Sequence, residues 1–345
     1  MDQDLLELRR TEFPWAEKTI YLNHASTGPI PERTRKALEE WNRRRTMPFK
    51  LPDTDLFEVF TESRRLCARL VNAEPEEIAL ATNTTWGLSL AAAALPLVAG
   101  DVVLVSDKEF PANVYPWILL KQRGVRLELV PTTSEGWPDE GALLERLERP
   151  EVKVLAISLV QFSNGYCADL AALSAATRRL GKFLVVDAIQ ALGQIPVDLK
   201  ATPVDILSAG AQKWLLSGWG SGFTYVRREL IPKLQPAMTG WMAFEGTDDF
   251  RRLTAYSGNL RSDARRFEMV TLPYQDLAGM CVSLELLLSI GIPRIATHLQ
   301  TLHAPVIAAA ERSGARITSP RGKRGSGILC VAPKDLEGAF ERLKG

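Results

Sequence analysis

Short apolar runs alternate with amphipathic stretches along the first two thirds of the chain, which predicts alternating strands and helices. The predicted strands are IALAT (78–82), VVLVS (102–106), RLELV (126–130), VLAISLV (154–160), FLVVDA (183–188), DILSAG (205–210) and GFTYV (222–226). The helices predicted between them lie near 86–95, 114–123, 142–149 and 169–181. Several strands are continuous apolar runs, as expected when helices cover both faces of a mostly parallel sheet. The pattern therefore predicts an α/β sandwich of three layers.

The pattern changes beyond about residue 263. A long helix is predicted over 275–290, followed by a second helix, a strand at GILCVAP (327–333) and a short final helix. Because 345 residues are more than twice a typical domain of roughly 150, more than one domain is expected. We predict an N-terminal helix within 1–16 that packs on the small domain, a large domain over 17–262, and a small α+β domain over 263–345.

Composition and charge narrow the class of protein. Hydrophobic residues make up 46% and charged residues 24% of the chain, which is typical of soluble globular proteins. The formal net charge is only +1, so no long-range field favours nucleic acid or an anionic membrane. The start MDQDLLELRR does not resemble a signal peptide, and no apolar run reaches the ~18 residues of a membrane span, which favours a cytoplasmic protein. Four dispersed cysteines and three histidines argue against a disulfide scaffold and predict no metal site.

Polar residues follow successive predicted strands, at the edge where open α/β sheets bind ligands. Asp187 ends one apolar run and Gln190 follows three residues later. Lys213 follows the strand at 205–210 among apolar neighbours, which disfavour its ammonium form and favour a nucleophilic amine. Taken alone, Asp187 is better explained as a helix cap and Lys213 as a surface lysine. Taken together, they indicate a cofactor site.

Pyridoxal phosphate requires this set of residue types. It needs a lysine for its imine, an acid beside its pyridine nitrogen, a cradle for its phosphate and a flat partner for its ring. Thr84 and Thr85 stand at a strand-to-helix junction, where hydroxyls and free backbone N–H groups bind phosphate. Phe110 follows the next strand and has the shape to stack on the ring.

In order and spacing, these motifs resemble the class V aminotransferases. This family of fold type I pyridoxal-phosphate enzymes includes cysteine desulfurases, selenocysteine lyases, kynureninase and isopenicillin N epimerase-like proteins. The resemblance runs from YLNHASTGPIP (21–31) through ARRFEMVTLP (264–273) to the helix GIPRIATHL. It includes the Thr-Thr turn, the aromatic position, Asp-x-x-Gln, and a lysine 26 residues after the aspartate. It implies a PLP-transferase large domain, a smaller C-terminal domain and a homodimer.

The resemblance also implies a role for each matching residue. Lys213 would bind the cofactor as an imine and move the substrate α-proton, Asp187 would pair with the pyridinium nitrogen, and Gln190 would contact the phenolic oxygen. The other implied cofactor contacts are Thr84, Thr85, Phe110, Gln212 and Gln161, with Asn164 an equal alternative to Gln161. The implied substrate-pocket residues are His24, with capping as the alternative, and Trp241, with core packing as the alternative. Arg265 and Arg266 are the candidate ligands of the substrate carboxylate, with a structural Arg-Phe-Glu motif as the alternative.

The chain departs from the family pattern in two respects. Phe110 stands where desulfurases carry a histidine, and neither desulfurase cysteine motif is present. Family members usually continue with a tail that supplies an arginine for the substrate carboxylate, so the small domain is expected to be truncated, either naturally or in this sequence. We predict α-proton abstraction from a small amino acid, first as an aminotransferase. A desulfurase, selenocysteine lyase or epimerase type is the second hypothesis, and a cofactor-binding protein with little turnover is the third.

Overall fold

A mixed sheet of seven strands forms the centre of the computed structural model, which describes residues 3–344. Its strands are β1 (Ile78–Leu80), β2 (Val102–Ser106), β3 (Arg126–Val130), β4 (Val152–Ser158), β5 (Phe183–Asp187), β6 (Ile206–Gly210) and β7 (Gly222–Val226). The spatial order is β1-β7-β6-β5-β4-β2-β3. Only β7 runs antiparallel to its neighbours β1 and β6, and every other pair in this sheet is parallel.

Helices cover both faces of this sheet. The α-helices along the described residues are α1 (Gln3–Glu12), α2 (Glu32–Arg45), α3 (Asp53–Val71), α4 (Thr84–Ala94), α5 (Tyr115–Ile118), α6 (Glu140–Leu147), α7 (Leu170–Arg179), α8 (Tyr274–Ile290), α9 (Ile292–Ser313) and α10 (Leu336–Lys344). Alternate residues of β2 enter two separate hydrophobic clusters, with Val102 and Leu104 in one and Val103 and Val105 in the other. Because successive strand side chains point to opposite faces, the continuous apolar runs are explained by burial on both sides.

The structure confirms the predicted α/β class and all seven strands, with boundaries that shift by about two residues at most. The predicted strand at 327–333 is wrong in extent, because only Val331–Ala332 forms a strand (β9), paired with Arg316–Ile317 (β8). The preceding backbone donors bind side chains instead of a neighbouring strand. The Gly327 N–H donates to Gln194 and the Ile328 N–H donates to Ser326 Oγ.

The C-terminal helices contact the body of the chain closely. The rings of Tyr274 on α8 and Phe60 on α3 stack with centroids 4.6 Å apart. The hydroxyls of Ser283 and Thr34 join α8 to α2 at 2.7 Å. The division at residue 263 stays a prediction, because these contacts cross it.

The N-terminal helix α1 is joined to α2 by an ion pair. Glu12, at the end of α1, is buried and lies 2.7 Å from the Arg33 guanidinium. The predicted N-terminal helix therefore contacts α2 directly. Positions 1, 2 and 345 of the predicted parts lie outside the described residues.

Among the described residues, no helix taken singly is long and apolar enough to cross a membrane. The helices α8 and α9 meet that criterion only as a pair, which is bent by 76°.

Candidate active site

The carboxyl ends of β1, β2, β4, β5 and β6 meet at one edge of the sheet, because these strands run in the same direction. Asp187 is the last residue of β5. It pairs in register with Ser158 of β4 on one side and with Ser208 of β6 on the other. Lys213 lies three residues beyond the end of β6. The sheet thus brings the predicted acid and the predicted lysine to the same edge.

Asp187 is buried, with only 2% of its surface exposed. Its Oδ1 accepts a hydrogen bond of 3.0 Å from the Ile189 N–H. Burial raises the pKa of Asp187 to about 7, the nearby Glu109 also raises it, and the Lys213 ammonium opposes the rise. A carboxylate that water solvates so poorly gains a great deal from a cation placed beside it.

Lys213 combines a lowered pKa with an aromatic neighbour. Burial lowers the pKa of Lys213, and the charge of Asp187 opposes that effect. The Lys213 Nζ lies 5.6 Å from the centroid of the Phe110 ring. Phe110 meets the Phe162 ring edge-on, with centroids 5.3 Å apart. The site therefore holds an amine with increased nucleophilic character beside an exposed aromatic ring.

The first turn of α4 forms an anion cradle next to this lysine. Asn83 caps the helix by accepting a 3.0 Å hydrogen bond from the Trp86 N–H. The first-turn N–H groups of Thr84 and Thr85 have no partner inside the helix and carry the positive end of its dipole. The Thr84 hydroxyl accepts a 2.8 Å hydrogen bond from the Gly210 N–H, whereas Thr85 is exposed. Thr84 thus anchors the helix on β6 and leaves the Thr85 hydroxyl available for a ligand.

Gln212 borders this cradle from the loop that follows β6. A Cβ placed on Gly210 would overlap the Gln212 Oε1 and would lie 3.4 Å from the Thr84 Oγ1. The absence of a side chain at Gly210 therefore allows the Gln212 amide to pack against the backbone beside Thr84.

Gln190 is held by two protein contacts. Its Nε2 donates to the Ala25 carbonyl at 2.9 Å, and its Oε1 accepts from the Trp214 indole N–H at 2.9 Å. His24 stacks on Trp214 with ring centroids 5.8 Å apart, and burial lowers the pKa of His24. The structure therefore brings His24 and Gln190 together beside Lys213. One of the two Gln190 amide donors goes to Ala25, which leaves a single N–H for the predicted contact with the cofactor.

The two candidate amides in the loop after β4 differ in their partners. Asn164 donates to the Gly136 carbonyl and accepts from the Tyr166 N–H, both at 2.9 Å, so both ends of its amide stabilise the loop. Gln161 donates through Nε2 to the buried carboxylate of Glu109. Glu109 raises the pKa of Asp187 by its charge, so Gln161 is connected to the site through Glu109, and its contact with the cofactor stays a prediction.

Trp241 and Arg265 lie apart from this cluster. The guanidinium of Arg265 pairs with Asp263 at 2.6 Å and lines a separate cavity of about 270 Å³. Trp241 is partly exposed and lies 5.9 Å from the Phe250 ring, centroid to centroid. Within residues 3–344, no hydrogen bond, ion pair or ring contact joins either residue to Lys213. Their role in substrate binding stays a prediction.

Two site residues escaped the sequence analysis. Glu109 directly precedes Phe110, and the argument that selected Asp187, an acid after a buried strand, applies to it as well. Trp214 follows Lys213 and was treated only as part of the apolar surroundings, although its indole N–H binds Gln190. That contact depends on the fold and has no local pattern.

A glycine holds the lysine loop in place, which supplies the first test of the site. The Gly28 N–H donates to the Gln212 carbonyl at 2.9 Å, and a Cβ on Gly28 would overlap the Lys213 carbonyl oxygen. We expect Gly28→Ala to displace the loop, to lower stability by about 1–3 kcal/mol and to weaken cofactor binding. Thermal unfolding and cofactor titration measure both effects. Gly258→Ala is the control, because nothing lies within 4 Å of a Cβ there, and equal behaviour of the two variants would contradict the prediction.

Comparison with known proteins identifies the family. The family model described as aminotransferase class-V matches residues 20–339. The chain belongs to the class-V aminotransferase family. Membership accounts for the order of the motifs and makes this a pyridoxal-phosphate-dependent enzyme.

Individual class-V relatives are distant in sequence. An uncharacterized aminotransferase, YcbU of Bacillus subtilis, is 27% identical over 333 residues, covering 95% of this chain and 85% of the relative. A probable cysteine desulfurase of Methanothermobacter thermautotrophicus is 26% identical, covering 86% of this chain and 74% of that protein. Isopenicillin N epimerase of Amycolatopsis lactamdurans is 30% identical over 64% of this chain and 57% of its own length.

Solved structures share the class-V fold. The apo cysteine desulfurase of Thermococcus onnurineus superposes with a TM-score of 0.86 at 22% identity, covering 97% of this chain and 84% of that one. The cystine C-S lyase C-DES, in complex with cysteine persulfide, gives 0.88 at 19% identity, covering 96% of this chain and 90% of its own.

The residues at the sheet edge fit pyridoxal phosphate, the class-V cofactor. The cofactor carries a phosphate, an aromatic ring with a basic nitrogen, and an aldehyde. The first turn of α4 fits the phosphate, Phe110 the ring, buried Asp187 a protonated nitrogen, and Lys213 the aldehyde. Gln212, whose amide packs against Gly210, borders the phosphate cradle.

Proposed function

We propose that the chain is an aminotransferase that acts on a small amino acid. The observation that carries this proposal is the position of Lys213: an amine of lowered pKa, 5.6 Å from the Phe110 ring centroid, at the edge that also holds buried Asp187. Bound pyridoxal phosphate supplies an electron sink for the negative charge that develops at the substrate α-carbon. The proton that leaves that carbon requires a nearby base, and Lys213 Nζ meets this requirement.

Each residue of the candidate site then has a defined role. Lys213 binds the cofactor covalently and, once substrate has released its amine, carries the α-proton on Nζ. Asp187 holds a positive charge at the ring nitrogen, and its burial strengthens that ion pair by excluding water. Thr85, with the first-turn N–H groups of α4, and Gln212 hold the phosphate, and Phe110 fixes the plane of the ring.

Desulfuration is the second candidate, and the relatives named probable cysteine desulfurases favour it. A desulfurase needs a thiolate that takes up sulfur. Cys67 and Cys281 are buried, and burial raises the pKa of Cys167 to about 11 and also raises that of Cys330. Burial therefore disfavours the thiolate form of these four cysteines at neutral pH, which counts against desulfuration.

A product assay distinguishes the candidates. The purified protein, loaded with pyridoxal phosphate, is incubated with single amino acids and a keto-acid acceptor. We expect the keto acid of one donor to accumulate in step with the amino acid formed from the acceptor. Formation of alanine and sulfide from cysteine would indicate desulfuration instead of transamination. Formation of the opposite enantiomer without keto acid would indicate epimerisation. Cofactor binding with no product from any donor would indicate a binding protein.

We also propose a cytoplasmic homodimer. Support comes from exposed apolar side chains in the segment before His24 and in the loop after Lys213, among them Ile20, Leu22 and Trp219. Apolar side chains exposed in this way often belong to subunit interfaces. Light scattering after gel filtration measures the mass, and a monomer at micromolar concentration would contradict the dimer.

A further inference from the structure

A second buried carboxylate lies at the same edge of the sheet as Asp187. Glu109 is in the turn after β2, directly before Phe110, and only 6% of its surface is exposed. Its Oε1 accepts from the Ser158 N–H at 2.8 Å, and its Oε2 accepts from Asn113 Nδ2 at 3.2 Å. The Ser158 hydroxyl and the Gln161 Nε2 also donate to it. Glu109 therefore collects four hydrogen bonds from three residues.

These contacts fit the ionised form of Glu109. A carboxylate only accepts hydrogen bonds, and all four partners are donors. Burial raises the pKa of Glu109 above its ordinary value, and the hydrogen bonds from Ser158, Gln161 and Asn113 oppose that rise without cancelling it. A glutamine at this position has nearly the same shape, but its NH₂ group cannot accept, so the Ser158 hydroxyl or the Asn113 amide would have to rotate and give up its present contact.

We propose that Glu109 is a positioning residue of the cofactor site, which fixes the amide of Gln161 and ties the end of β4 to the turn that carries Phe110. With Nε2 bound to Glu109, the amide plane of Gln161 has one orientation, and its Oε1 and second N–H point in fixed directions. The same carboxylate fixes the backbone at Ser158, which pairs with Asp187 in register. Glu109 thus acts on the cofactor through Gln161 and Phe110. This inference deepens the proposed function and requires that the site bind pyridoxal phosphate.

A second buried glutamate provides a matched control. Glu77 is 9% exposed and directly precedes β1, so it lies at the opposite edge of the sheet. It accepts hydrogen bonds from the N–H groups of Glu74 and Arg228, at 3.0 and 3.1 Å. Glu77→Gln therefore reproduces the loss of a buried charge and of hydrogen bonds far from Lys213.

The experiment measures the dissociation constant of pyridoxal phosphate for the full chain and for the variants Glu109→Gln, Gln161→Ala, their combination, and Glu77→Gln. Glu109→Gln is expected to weaken binding by roughly 10- to 100-fold, the range for a lost hydrogen bond to a charged group. The losses in the double variant are expected to be smaller than the sum of the two single losses, because part of the effect of Glu109 passes through Gln161. Glu77→Gln is expected to stay within about twofold of the wild type.

Visible circular dichroism of the bound cofactor supplies a second signal. At saturating pyridoxal phosphate, a ring held in one orientation gives an induced signal, so Glu109→Gln is expected to reduce it while Glu77→Gln preserves it. If Glu109→Gln does not fold, Ser158→Ala removes one donor from the same carboxylate. It should weaken binding by roughly 2- to 10-fold.

The outcomes distinguish a failure of the proposed function from a failure of the positioning role of Glu109. A wild-type chain that binds no pyridoxal phosphate would refute the proposed function itself. Unchanged affinity and dichroism in Glu109→Gln, alongside normal wild-type binding, would overturn the positioning role alone. Losses that simply add in the double variant would also overturn it, because independent effects add and coupled ones do not. If only Ser158→Ala can be measured, wild-type affinity in that variant would have the same consequence.

Discussion

Replacing Lys213 with alanine is expected to lower kcat by at least about 10⁴-fold, because the substitution removes both the covalent anchor of the cofactor and the base that moves the α-proton. Lys213 is the amine of lowered pKa beside Phe110. The phosphate cradle at α4 and the acid Asp187 remain in the variant, so pyridoxal phosphate is still expected to bind, without the covalent link. Steady-state kinetics and the visible spectrum measure the two effects together.

Controls separate chemistry from folding. Lys121 is an exposed lysine, and Lys121→Ala should keep wild-type turnover and spectrum. Borohydride reduction of the wild type should fix the cofactor on the peptide that contains Lys213, and peptide mass mapping locates it. A small primary amine added to Lys213→Ala should restore part of the proton transfer. Turnover of Lys213→Ala within tenfold of the wild type, or cofactor attached to another lysine, would disprove the assigned role.

Most of the fold could be predicted from the sequence, because each of the strands β1 to β7 coincides with a short apolar run. Continuous apolar runs such as 102–106 are long enough to be recognised, and strand direction follows from the helices between them. The apolar run at 327–333 was predicted to be a strand, but an apolar run indicates burial and does not by itself indicate pairing with another strand. Its first residues bind Gln194 and Ser326, which local sequence does not reveal.

A site residue could be predicted from the sequence where its chemical type and its position after a strand are enough to indicate its role. Asp187 ends β5 and Lys213 follows β6 by three residues, and the carboxyl ends of these strands meet, so both residues are expected at the same edge from topology alone. The partners of amides do not follow from it. Gln190 binds Trp214, and Gln161 binds Glu109, across long stretches of sequence. Whether an amide faces a ligand depends on how the side chains pack in the folded protein, and the periodic pattern of apolar residues does not predict that packing.

Asp187→Asn is expected to lower kcat by roughly 10²- to 10⁴-fold, because breaking a buried ion pair changes free energies by about 3–5 kcal/mol. Asparagine keeps the shape of the side chain and its acceptor for the Ile189 N–H, but it cannot stabilise a protonated ring nitrogen. Asp101→Asn is the matched control: Asp101 is also buried, accepts from the Val98 N–H, and precedes β2 at the opposite edge. A near-normal kcat in Asp187→Asn would contradict the proposal that Asp187 supports the electron sink by stabilising a protonated ring nitrogen.

The same substitution is expected to stabilise the cofactor-free protein at high pH. The folded chain holds the Asp187 proton up to a pKa of about 7, whereas the unfolded chain loses it near pH 4. The folded state therefore binds more protons between these values, and the free energy of unfolding of the wild type falls as pH rises through that window. The asparagine of the Asp187→Asn variant cannot titrate, so the stability of the variant relative to wild type should increase between pH 4 and 8. The increase should be on the order of 4 kcal/mol, or three pKa units. Urea unfolding at several pH values measures the difference, and a difference that does not change with pH would show that Asp187 titrates normally.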